Sequence, residues 1–67
     1  MSSVFRLTVI NKKHQEETQD FSSQGDAIEE FHLFATGGEV ILVKVDEYDA
    51  QTREHLRRLA TEAPHAR

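Results

Sequence analysis

The chain has 67 residues and a net charge of −4 with histidine neutral. That length holds one domain, residues 1–67, and domains of about 60 residues bury only about 60% of the surface their unfolded chains expose. Cysteine is absent, which excludes disulfides and thiolate metal sites, and an excess of carboxylates opposes non-specific binding to phosphate backbones.

No segment approaches the roughly 18 consecutive apolar residues of a membrane span. The first apolar run, Val4 to Ile10, is broken by Arg6 and Thr8, so neither a leader peptide nor a membrane contact is expected. The lack of cysteine fits a reducing, cytoplasmic setting.

Residues 1–3 read as a loose start. From Val4 the pattern alternates: Phe5, Leu7 and Val9 point one way, and Val4, Arg6, Thr8 and Ile10 the other. A period of two predicts a half-buried strand. Asn11-Lys12-Lys13-His14 reads as a turn, with asparagine available for local backbone hydrogen bonds. Residues 15–21 then return as a second strand, very polar until Phe21, and polar strands are tolerated at sheet edges.

Ser23 is placed to cap a helix, with Asp26 three residues on and favourable to the helix dipole. Ala27, Ile28, Phe31, Phe34 and Ala35 share one face of that helix at helical spacing. Its two phenylalanines are read as core. Thr36-Gly37-Gly38 stops it, with a glycine free to take the left-handed terminal conformation.

Glu39 to Asp46 contains the one unbroken apolar run of the chain, Val40 to Val43, followed by Val45. Its β-branched composition favours a strand with apolar residues on both faces. Asp49 is placed to cap a second helix over residues 50–62, with Pro64 just beyond and residues 64–67 loose. The apolar face of that helix is thin: Leu56, Leu59, Ala60 and Ala63.

These readings give an α+β fold of order ββαβα: a three-stranded antiparallel sheet, one helix packed on it and a weaker C-terminal helix. Strand three can pair with strand one, giving order 2-1-3, or lie parallel to strand two. The first is preferred because it leaves the polar strand on an edge. It also makes the most apolar strand an edge, so Val40, Ile41, Leu42, Val43 and Val45 are expected to meet a partner strand. A two-fold homodimer is one such arrangement and is set slightly above a monomer.

The histidines, at 14, 32, 55 and 65, lack zinc-ligand spacing. Glu29-Glu30-Phe31-His32 holds a single Glu-x-x-His, short of what a di-iron bundle needs. There is no phosphate loop, no G-x-S-x-G elbow and no G-x-G-x-x-G. We therefore expect no catalytic residues, no metal, no cofactor and no enzyme. Lys12 and Lys13 at the first turn, with Arg53, Arg57 and Arg58, offer small basic patches, but the sheet lacks the aromatic pair that RNA-reading sheets use for stacking. The acidic residues point elsewhere. Glu16, Glu17, Asp20, Asp26, Glu29 and Glu30 fall within fifteen residues, and Asp46 and Glu47 follow the third strand. Gathered on one side, they would present a negative field to a basic groove.

The hairpin from Val4 to Phe21, the helix announced by Asp20-Phe21-Ser22-Ser23 and running through Phe34, and the glycine-led valine strand from Gly38 to Asp46 cover about two-thirds of the chain. In size, element order and acidity this layout resembles small phage and mobile-element proteins of the anti-CRISPR type. The resemblance rests on no signature motif and carries over no residues. It implies a non-enzymatic inhibitor that binds a host defence complex in the host cytoplasm and occludes its nucleic-acid-binding surface. The alternative is a homodimeric regulatory protein that contacts nucleic acid through Lys12, Lys13 and the Arg53/Arg57/Arg58 patch.

Overall fold

The computed structural model describes residues 2–37 and 39–64. In chain order they form β1 (Ser3–Asn11), β2 (Glu16–Phe21), α1 (Gln24–Thr36), β3 (Val40–Asp49) and β4 (His55–Glu62). The strands make one four-stranded sheet in the order β2-β1-β3-β4, antiparallel throughout. The fold is α+β, and the expected order of the first three strands holds.

The alternation in β1 sorts the sheet into two faces. Phe5, Leu7 and Val9 sit beside Glu47, Val45 and Val43 of β3 and face α1. Leu7, Val43 and Val45 are fully buried there, with Ala27 and Phe31 of the helix packed on them. Phe21, Ile28, Phe34, Ala35, Leu59 and Ala60 close the margins of this core. On α1, Ser23 caps as its spacing predicts: its Oγ accepts from the Asp26 N–H at 3.4 Å. The Gly37 N–H closes the other end by donating to the Phe34 carbonyl. Gly37 itself is extended (φ −75°), not left-handed, and Gly38 lies outside the described residues.

Four expectations are corrected. The C-terminal segment is a strand, not a helix. Asp49 does accept backbone N–H groups, from Gln51 at 2.8 Å and Thr52 at 2.9 Å. Those bonds close a hairpin turn, in which Arg53 takes a left-handed φ of 64° and donates its N–H to the Asp49 carbonyl. Among the described residues the sheet consequently has four strands, and there is one helix. Next, β3 is interior: β1 pairs along one edge and β4 along the other. β4 pairs with β3 from Val43 to Tyr48, so Val43 and Val45 offer no free edge to a second copy, while Val40, Ile41 and Leu42 lie before that pairing begins; Val40, Val43 and Val45 are core. Finally, Ser3 is not loose. It lies opposite Asp49, and the Ser2 carbonyl accepts from the Ala50 N–H. Met1 and residues 65–67, including the tail that carries His65, fall outside the described residues.

Candidate protein-binding surface

The face of the sheet away from α1 is crossed by rows of directly opposed residues. One row alternates in charge over all four strands: Asp20, Arg6, Asp46, Arg58. The next is Thr18, Thr8, Lys44, Thr61. Cross-strand neighbours lie close enough for opposite charges to pair, and they do. Arg6 Nε donates to Asp20 Oδ1 at 2.9 Å, and Arg58 Nε to Asp46 Oδ1 at 3.1 Å. His55 Nε2 lies 3.0 Å from the same Asp46 oxygen; an ionised carboxylate only accepts, so this nitrogen carries the proton. The Arg6 guanidinium also stacks over Tyr48, 4.8 Å from its ring centre, and Tyr48 meets the His55 ring edge-on.

Asp46 is only 2% exposed. Burial pushes its carboxyl up, but hydrogen bonds from His55 and Arg58, with the charges of Arg58 and Lys44, outweigh burial and hold it below the usual range. Asp20 is held low by its hydrogen bond from Arg6, against partial desolvation, with the charges of Arg6 and Arg53 adding to it. On the helix face Glu47 is held low by the Ser3 hydroxyl, 2.6 Å away, and by Arg57 at 2.8 Å.

The predicted acidic residues thus fall into two groups. Asp20, Asp46 and Glu47 are bound to cations of their own chain; Asp20 and Asp46 lie on the open face of the sheet, where Glu16 also lies, and Glu47 on the helix face. Glu16, Glu17, Asp26, Glu29 and Glu30 have no ion pair among the described residues. Glu17 lies on the helix side of β2, opposite Val9. Asp26 and Glu30 follow the helical repeat that leads to Leu33, Phe34 and Gly37, and those three border β2 in a shared groove. Glu17, Asp26 and Glu30 therefore lie along the side shared by the edge strand and the helix flank, while Glu16 points to the opposite face of the sheet.

The basic residues are dispersed. Lys12 and Lys13 occupy the β1–β2 turn, and Arg53 the β3–β4 turn at the other end of a molecule 38 Å long. Arg57 and Arg58 point to opposite faces, each against a carboxylate of β3.

Between α1 and β2 runs a groove of about 330 Å³. Val9, Val40, Leu33 and Phe34 supply its apolar lining; Asn11, Gln15, Glu17 and Glu39 supply the polar one. A smaller recess of about 70 Å³ adjoins it over Leu7 and Val9. Leu33 is 61% exposed. Sequence reasoning missed this groove. Leu33 lies outside the apolar stripe of α1, and only the fold brings it to Glu17 and Gln15. One signal was legible: no Lys or Arg occurs between Lys13 and Lys44, where seven carboxylates do.

Comparison with protein-family models, curated proteins and solved structures finds no match for this chain. No described helix is long and apolar enough to cross a membrane.

Proposed function

We propose that this chain is a non-enzymatic binding protein that engages a basic surface of a partner protein through the flank formed by β2 and α1, and thereby keeps nucleic acid off that surface. In its specific form this is an inhibitor of the kind phages carry against host defence complexes, acting in the host cytoplasm. One observation carries it: the carboxylates of Glu16, Glu17, Asp26, Glu29 and Glu30 have no counterions among the described residues, while those of Asp20, Asp46 and Glu47 are matched within the chain. Unmatched surface charge of one sign steers a partner of the other sign and repels nucleic acid.

The test is competition. A partner captured from the host should release bound nucleic acid as the chain is added. The triple variant Glu16→Lys, Glu17→Lys, Glu30→Lys should lose this by about tenfold or more, since like charges juxtaposed across an interface cost several kcal/mol. The rival reading predicts that the isolated chain binds DNA or RNA directly, weakening steeply with salt. That result, with displacement unaffected by the triple variant, overturns the proposal.

A further inference from the structure

We propose that the groove between α1 and β2 receives an extended, basic segment of a partner protein, which adds to β2 as a fifth strand and seats an apolar side chain against Leu33 and Phe34. This rests on the reading above and specifies the partner's chemistry and pose.

The edge of the sheet comes first. Among the described residues β2 pairs with β1 only, so the N–H and C=O groups along its other side have no strand partner there. Exposed edges are usually blunted by lysine, proline or a bulge. β2 has none of these: its sequence is Glu-Glu-Thr-Gln-Asp-Phe, and its pairing with β1 runs without a register shift. What it carries instead is charge of one sign. Glu16 and Glu17 oppose pairing with the same strand of a second copy, and they admit a strand bearing Lys or Arg. The other edge, β4, is not a ready occupant in a second copy. Its arginines are held by β3, and its backbone is broken by two register shifts.

The groove specifies the rest. A strand added to β2 would place alternate side chains on the two faces of the sheet. Those on the face of Glu17 and Gln19 would enter the groove, where Val9, Val40, Leu33 and Phe34 offer apolar contact. Those on the other face would lie beside Glu16, Thr18 and Asp20. The matching pattern alternates Lys or Arg with Leu, Ile or Val. Backbone hydrogen bonds would give affinity and the side-chain pockets selectivity, as in other strand-addition complexes.

The probe is a short peptide of alternating lysine and leucine. It is compared with the same peptide N-methylated at alternate amides and with a peptide in which serine replaces leucine. Binding to the full chain is followed by fluorescence anisotropy, and amide exchange is read along β2. The alternating peptide should bind, protect β2 amides and lose about tenfold in affinity, near 1.4 kcal/mol, on each control peptide and in Leu33→Lys. Leu33 is exposed, so that variant keeps the fold, which circular dichroism checks. Equal binding of the N-methylated peptide means attraction by charge without strand addition; it overturns this proposal and leaves the proposed function standing. Self-association of the chain that excludes the peptide and dissolves in Leu33→Lys also overturns it, because the occupant is then a second copy. If no basic peptide binds and the triple lysine variant still displaces nucleic acid from the captured partner, both readings fail.

Discussion

The two edges of the sheet carry opposite charge and use it differently. On β4, the cations Arg57 and Arg58 sit across from Glu47 and Asp46, and each is consumed by its neighbour on β3. On β2, only Asp20 has a partner, Arg6 on β1, while Glu16 and Glu17 have none among the described residues. Counted along the sequence, both edges look like charged patches. In three dimensions one is part of the scaffold and the other is free to act on something else. A charge marks a binding surface only when its own chain leaves it unmatched.

Removing charge from each edge should therefore have unequal effects. Asp46→Ala strands Arg58 and His55 and takes away the buried acceptor that ties β4 to β3. Losing a buried charge-assisted acceptor costs about 2 kcal/mol when the remaining partners can reach water. Glu17→Ala should stay within about 0.5 kcal/mol of the parent, as surface substitutions without partners do. Urea unfolding of the two variants measures the difference. Equal losses would place Glu17 in an internal role and erase the contrast between the edges.

The same contrast explains what the sequence disclosed. The alternation from Val4 to Ile10, the Ser23 cap and the valine run were each legible, because each pattern is local and survives folding unchanged. β4 was not. Its register shifts fall at Leu56 and Leu59, so His55, Arg58 and Thr61 share one face of the sheet at a spacing of three. Bulges added an extra residue twice and turned a period of two into one that imitates a helix. Asp49 added to the imitation, since the side-chain acceptor that caps a helix also closes a turn. Once β4 is a strand, it occupies the edge of β3 from Val43 to Tyr48, where a partner strand is expected from the sequence alone. The acidic cluster was legible as a cluster. Its division into matched and unmatched carboxylates depended on β4, whose arginines and histidine take Asp46 and Glu47 out of the surface.

Acid should lower stability through the matched carboxylates. Asp20, Asp46, Glu47 and Asp49 are all held below their ordinary values in the folded chain. A carboxyl depressed on folding contributes stability that is fully present above its unfolded value, about 3.9 for Asp and 4.3 for Glu, and is lost as pH falls through the folded value. Urea midpoints should be nearly level from neutral pH down to about 5 and fall below about 4. Asp46→Asn should start lower and show a shallower fall. An acid limb as steep in that variant as in the parent would mean that the Asp46 cluster is not what acid dismantles.

The smallest effect separates the turns from the strands they carry. Each edge hangs from a turn built alike. Asn11 Oδ1 accepts from the N–H groups of Lys13 and Gln15 ahead of β2, and Asp49 Oδ1 from those of Gln51 and Thr52 ahead of β4. Each turn then passes through a residue in the left-handed region, His14 at φ 62° and Arg53 at φ 64°. A side chain with a Cβ pays for that conformation, and glycine does not. His14→Gly and Arg53→Gly should each raise stability by about 0.5–1 kcal/mol after glycine's larger unfolded-state entropy is offset. Similar gains would show that the turns are equivalent and that the edges differ through side-chain pairing alone. A gain at His14 with a loss at Arg53 would instead give Arg53 a role on the open face, where its charge already helps to hold the Asp20 carboxyl low. In that case a cation of the β3–β4 turn would reach across the open face to brace the acidic edge opposite.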